Sequence, residues 1–198
     1  MIPHQIRSFL EIWKKLPGLG PRAATRLAFF IANMKAEERH ALREALAGLD
    51  AMDACPECFS LKEEDRSVCA ICGNTERKRD LVAVVEKNTD IITLERAREF
   101  QGTYLILGDL GTNGILEEHH RKRMEHLKKR IEKEKGTIKE VILAMGPNAL
   151  SDMVYEMLKR DLSPLGVSVT RLGRGIPTGG EIEFADEETL KSALRRRM

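Results

Sequence analysis

The residues with the clearest capacity for chemistry are Cys55, Cys58, Cys69 and Cys72, which are all the cysteines of the chain. They form two Cys-x2-Cys pairs with ten residues between them. In a cytoplasmic protein that spacing points to tetrahedral zinc rather than disulfides, because each knuckle turns two thiolates toward one ion. Four soft ligands leave no open position for water, so such a site is structural, not catalytic. Its task would be to fold a short segment with too few apolar groups to fold alone. The competing readings are redox pairing and a finger that has lost its metal.

A second candidate lies at residues 16–30, LPGLGPRAATRLAFF, where Gly18 and Gly20 flank Leu19 ahead of an apolar-periodic helix. Glycine takes positive φ readily and has no Cβ to keep another backbone away. Peptide N–H groups of such a turn, with the next helix's N-terminus, make a place for a phosphate oxygen. Arg22 and Arg26 lie four apart, on one face of that helix, where they could hold neighbouring phosphates. This is the helix-hairpin-helix pattern, which grips DNA backbone with little sequence preference. The competing reading is a tight corner between two helices with no ligand. Residues 1–35 carry six basic residues (Arg7, Lys14, Lys15, Arg22, Arg26, Lys35) against one acid, Glu11. That excess suits a polyanion, although a solvated surface would carry it equally well.

A third candidate is acidic. Glu86 ends an apolar run, "VVE", and Asp152 follows another, "VILAM", by a short loop. Both would stand outside the carboxyl ends of parallel strands, where open α/β sheets bind ligands. A Glu and an Asp converging there could hold Mg²⁺ through oxygen ligands. The alternative is that Asp152 merely favours a helix dipole and Glu86 pairs with a basic neighbour. Weaker candidates are His119, His120 and His126 on a charged helix, and Arg195, Arg196 and Arg197 at the C-terminus. Adjacent histidines point different ways, and basic residues ending a helix need no ligand.

These groups need elements to hold them. Ile6, Phe9, Leu10, Trp13 and Leu16 recur at helical spacing, which predicts a first helix to about Lys15. Ala23, Leu27, Phe30 and Met34 mark a second helix with Pro21 in its first turn, and EERHALREALAGLD predicts a third, stopped near Gly48. Beyond Asp80 strands and helices alternate: LVAVVE, a helix over TDIITLERAREF capped by Thr89, TYLILG, a charged helix over 116–135, KEVILAM, a helix over 148–162, and VSVTRLG. That alternation implies right-handed crossovers and a mostly parallel sheet, hence an α/β fold.

Composition adds bounds. The chain has 198 residues, 42% hydrophobic and 32% charged, with a formal net charge of +2, which says little about partners. It contains no apolar run near the ~20 residues of a membrane span. Its N-terminus, MIPHQIRSFLEIW, is amphipathic and lacks a signal-peptide core, so the expected location is cytoplasmic.

In the same order, the glycine hairpin, the four-cysteine finger, VAVVEKNTDIITLERAREFQGTYLILG and RLGRGIPTGGEIEFADEETLKSAL resemble the RecR family of recombination mediators over nearly the whole chain. The most specific stretch is Gly175-Ile-Pro-x-Gly-Gly-Glu-Ile-Glu-Phe-Ala-Asp186. The resemblance implies a helix-hairpin-helix domain (1–53), a zinc finger (54–79), a Toprim domain (80–172) and a C-terminal oligomerisation segment (173–198). It implies ring-like homotetramers that bind DNA and act with RecO, and in many bacteria RecF, to load RecA onto single strands. Gly18, Gly20, Arg22 and Arg26 would contact DNA, the four cysteines would hold zinc, and no residue would be catalytic. Two features depart from the family. The loop DLGTNGILEEHH is shorter than usual, and GPNALSD replaces a stretch with two acids, putting Leu150 in the place of the first while Asp152 keeps the second. Metal-dependent Toprim chemistry needs a Glu plus an acidic pair, so Leu150 argues against the rival reading, a Mg²⁺-dependent nuclease or topology-altering enzyme using Glu86 and Asp152. No tyrosine nucleophile stands beside the acids in sequence either, the only tyrosines being Tyr104 and Tyr155.

Overall fold

The computed structural model describes residues 2–111, 115–173, 175–176 and 179–195, the Glu188 side chain excepted. Pro177 and Thr178 of the C-terminal motif, and Arg196 and Arg197, lie outside the described residues. The chain divides into two units, Met1–Met52 and Asp53–Met198.

In the first unit, helices α1 (His4–Trp13), α2 (Pro21–Asn33) and α3 (Ala36–Ala47) follow the apolar spacing of the sequence. Phe9 and Trp13, one turn apart, stack their rings at 4.6 Å. α3 begins where Glu38 reaches back to the Lys35 N–H at 3.0 Å, closing one of the orphan donors of its first turn. α3 stops at Gly48, its C-cap, as expected. Gly48 keeps a right-handed φ of −59°, and the chain tightens into a 3-10 turn over Gly48–Ala51. Among the described residues of this unit only Ala24 and Ala28 are buried hydrophobics, whereas Ile12, Phe30 and Leu49 are each more than 60% exposed.

The second unit opens with a two-stranded sheet, β1 (Met52–Ala54) and β2 (Leu61–Glu63), and a single helical turn, α4 (Ala70–Gly73). Then come β3 (Leu81–Val85), α5 (Asn88–Ala97), β4 (Thr103–Ile106), α6 (Glu118–Lys133), β5 (Glu140–Leu143), α7 (Ala149–Leu162), β6 (Ser168–Arg171) and α8 (Glu187–Arg195). The four long-range strands form one parallel sheet in the order β4-β3-β5-β6, with Val82 opposite Thr103 and Val141, and Glu140 opposite Ser168. Successive strand residues face opposite sides, and both sides are covered. Val82, Val84, Leu105 and Val141 pack with Leu127, Ile131, Val154 and Leu158 of α6 and α7. Ala83, Val85, Tyr104 and Ile106 pack with Ile91 and Leu94 of α5 and with Phe59 and Ile71 of the cysteine segment. This is the expected α/β architecture, an N-terminal helical hairpin followed by a cysteine finger and a parallel sheet.

Local details differ from the sequence reading. α5 starts at Asn88, and its cap is not Thr89: the Asp90 carboxylate accepts the N–H groups of Glu86 and Lys87 at 3.1 and 3.0 Å. The charged helix α6 is amphipathic, with Met124, Leu127 and Ile131 buried. Gly102 stands where β4 begins against β3, and a Cβ there would lie 2.6 Å from the Leu81 carbonyl oxygen. Gly102→Ala therefore forces the β3–β4 start apart and should lower stability by about 1–3 kcal/mol, read from urea unfolding.

Candidate nucleic-acid interface and metal centre

The hairpin between α1 and α2 is built from Leu16, Pro17, Gly18 and Leu19. The Leu19 N–H donates to the Leu16 carbonyl at 3.2 Å, and Gly18 takes φ +77°. Proline second and a positive-φ glycine third are what a type II turn demands. Gly20 is different. Its φ is −69° and an added Cβ would touch nothing within 4 Å, so neither conformation nor packing within the chain requires glycine there.

Gly20 is also the N-cap of α2, and no side chain caps that end. Pro21 removes one donor, the Ala24 N–H goes to the Gly20 carbonyl at 3.0 Å, and among the described residues the amides of Gly20, Arg22 and Ala23 have no partner. Gly18, Gly20, Arg22 and Arg26 are all exposed. Glu11, the single acid of this segment, forms an ion pair with Lys14 at 2.6 Å, which holds its carboxyl below the usual range; neither Arg22 nor Arg26 is in an ion pair among the described residues. Like charges four apart on a helix disfavour it slightly, and among the described residues no ion pair offsets them.

The four cysteines converge. All are buried, and their sulfurs lie within 4.8 Å of one another. Four thiolates on one zinc at about 2.3 Å stand about 3.8 Å apart, so this donor set fits a tetrahedral ion after small rotations. Main-chain N–H groups already point at the sulfurs: Cys69 to Cys55 Sγ at 3.4 Å, Ser60 to Cys58 Sγ at 3.5 Å and Cys72 to Cys69 Sγ at 3.4 Å. Hydrogen bonds from Cys58 and Cys72 push the Cys69 thiol far below its ordinary range, and those two are pushed up in turn. Such packed sulfur with inward N–H donors is arranged for a cation.

The first knuckle is also a joint. The Ile106 N–H on the outer edge of β4 donates to the Cys58 carbonyl at 2.8 Å. Phe59, with φ +63°, lays its ring 4.8 Å from the Arg123 guanidinium and 5.0 Å from the His126 ring, both on α6. Ser60 Oγ and the Leu61 N–H both donate to Asn88 Oδ1, at 2.8 and 3.1 Å, at the start of α5.

Glu86 and Asp152 both reach the carboxyl end of the sheet, but into different surroundings. Glu86 lines a cavity of about 460 Å³ with Lys87, Asp90, Met145 and Leu172. Asp152, in the first turn of α7, is bonded by Arg171 Nη1 from the end of β6. Arg171 lines a second cavity, about 480 Å³, with Ser151 and Thr189, again against Met145 and Leu172. Leu150 is buried in the core. Sequence reasoning missed Arg171; its only local signal was a basic residue closing a strand. His120, read from the sequence only as a weak candidate, is buried, with Nδ1 accepting the Glu117 N–H at 3.0 Å and Nε2 donating to the Asp109 carbonyl at 3.1 Å. His120 therefore latches the start of α6. Among the described residues the cysteines are the only group of three or more His, Cys, Asp or Glu placed to share an ion. Arg195 is exposed in the last turn of α8, whose start is capped by Asp186 accepting the Thr189 N–H at 2.8 Å.

Family models match the helical hairpin, the parallel sheet and the C-terminal region, though not the finger. Residues 7–49 match the RecR helix-hairpin-helix, 80–173 the Toprim domain and 175–198 the RecR C-terminal region. The recombination protein RecR of Herpetosiphon aurantiacus is 38% identical over 98% of this chain and 94% of its own length. That of Pelotomaculum thermopropionicum is 40% identical over 97% and 94%, and that of Chloroflexus aurantiacus 39% over 100% and 95%. The chain belongs to the RecR family. No helix among the described residues is long and apolar enough to cross a membrane.

The two glycines separate by their reasons. Gly18→Ala must hold a left-handed residue and should lose about 1–2 kcal/mol of stability, whereas Gly20→Ala should lose less than about 1 kcal/mol. Denaturant titration of the two variants checks this.

Proposed function

We propose that this chain is a non-catalytic, DNA-binding recombination mediator whose hairpin grips the sugar–phosphate backbone. The observation that carries the reading is the start of α2: three amides without partners, a glycine at its cap that the chain's own packing does not need, and Arg22 and Arg26 exposed beside them. A phosphate oxygen placed there would accept the free N–H groups and stand at the positive end of the helix dipole. The arginines would then hold adjacent phosphates in their forked geometry. Such a grip reads charge and spacing, not bases.

One hairpin makes few contacts. Joining several in an assembly multiplies avidity if geometry lets them engage together. The thin core of the first unit, with Ile12, Phe30 and Leu49 exposed, supports self-association, as does the exposure of Ile182 and Phe184 in the C-terminal region. We take the assembly to be a ring-like homotetramer, working in the cytoplasm with a RecO-type partner, and RecF where present, to load RecA on single strands.

The finger's four thiolates would hold zinc as a closed structural crosslink. Bound there, zinc would fix residues 58–61, and through them the edge of β4, the start of α5 and the middle of α6. Freshly purified protein should contain one zinc per chain. Acidification should release it, because falling pH protonates the thiolates that bind it. Protein free of zinc at neutral pH, with its fold intact, would contradict this assignment.

The hairpin reading is tested by Arg22→Ala/Arg26→Ala. Loss of two phosphate contacts should flatten the slope of log affinity against log salt by about 1.4–1.8, according to whether the DNA is single- or double-stranded. Unchanged affinity and slope in a correctly folded variant would refute it.

A further inference from the structure

We infer that Arg171 is the resident cation of the crevice at the carboxyl end of the sheet: its guanidinium holds the place beside Asp152 that a divalent ion would need, and the crevice works without Mg²⁺. The argument rests on the donor set. A hard cation such as Mg²⁺ needs near-octahedral oxygen ligands, with one or two carboxylates from the protein. Position 150, which would supply one, is Leu150, packed against the sheet with Val154 and Leu158, so it contributes carbon and cannot turn outward. Glu86 opens on a cavity also lined by Lys87, whose ammonium lies 4.0 Å from Asp109. Asp90 in that cavity already accepts two main-chain N–H groups through one oxygen. A dication beside Glu86 would therefore find the other carboxylate of that cavity already engaged.

Asp152 is held from the other side. Arg171 Nη1 donates to its Oδ1, and the guanidinium carbon lies 3.7 Å from the centroid of the Tyr155 ring. Tyr155 is itself tied back to β6, its hydroxyl donating to the Val169 carbonyl at 3.4 Å. Three quarters of the Arg171 side chain is out of solvent, with 24% exposed. Its Nε is buried and makes no hydrogen bond among the described residues. An unpaired buried donor is unfavourable, so stacking and the carboxylate, not a complete hydrogen-bond set, keep the cation here. A metal ion would have to displace a cation that is covalently part of the chain. While Arg171 stays, it would also suffer repulsion from a like charge at close range.

The test uses full-length, zinc-loaded protein and Mn²⁺ as the probe, followed by electron paramagnetic resonance, with thermal unfolding in the presence and absence of Mg²⁺. Wild type should show no saturable Mn²⁺ site up to about 1 mM, and its midpoint should not respond to Mg²⁺. R171M should melt lower, and Mn²⁺ or Mg²⁺ should restore part of the loss; R171M/D152N should show no restoration. R171K keeps the charge and should stay indifferent to either ion, which holds the inference open to refutation should R171M fail to fold. Stoichiometric Mn²⁺ binding by wild type that D152N abolishes overturns it. So does a folded R171M indifferent to both ions, or an R171K that responds to them. None of these readouts depends on DNA binding, so their failure is distinct from failure of the hairpin reading.

Discussion

A helix cannot satisfy the first N–H groups of its own backbone, and this chain treats that constraint differently at almost every helix. At α5 the Asp90 carboxylate closes the end, at α7 Asn148 and Ser151 exchange bonds, and at α6 buried His120 takes the Glu117 N–H. At α2 nothing does. The exposed hairpin that results joins a tight turn to open donors with arginines alongside. The start of α1, after Pro3, is likewise without a side-chain cap; what sets α2 apart is Arg22 and Arg26 exposed beside its open end, an arrangement that would suit phosphate.

The second unit depends on its cysteine knuckle in a comparable way. An edge strand of a parallel sheet offers unpaired N–H and C=O groups that invite unwanted pairing. Here the Cys58 carbonyl takes the Ile106 N–H, and the ring of Phe59 sits against Arg123 and His126. The finger thus closes the β4 edge while fastening the start of α5 and the middle of α6. Its small apolar content explains why sulfur and a metal would be needed for that work: Val68 and Ile71 are the only hydrophobic side chains packed on the cysteine cluster among the described residues.

Much of this was legible in the sequence because the relevant signals are local. Cys-x2-Cys spacing reports which sulfurs share a turn, and the unbroken apolar run LVAVV reports a strand covered on both faces. Pro17 and Gly18 report a turn type by themselves. What failed to show depended on partners distant in sequence or on competition between near neighbours. Asp90 displaced Thr89 as cap because a carboxylate two residues into the helix can reach two N–H groups at once. Arg171 and Asp152 are nineteen residues apart, and nothing local says that β6 delivers one onto the other. His120 was hidden by its neighbours: in a run as polar as EEHHRKR no local pattern distinguishes the residue that turns inward.

The account stands on open amides at the start of α2 meeting phosphate. Amide hydrogen exchange at Gly20, Arg22 and Ala23, measured with and without a saturating oligonucleotide, addresses that most directly. The account predicts that exchange at these three amides slows on binding, together with little change along the α6 surface. Slowed exchange elsewhere in the protein, with these amides exchanging as fast as before, would contradict it.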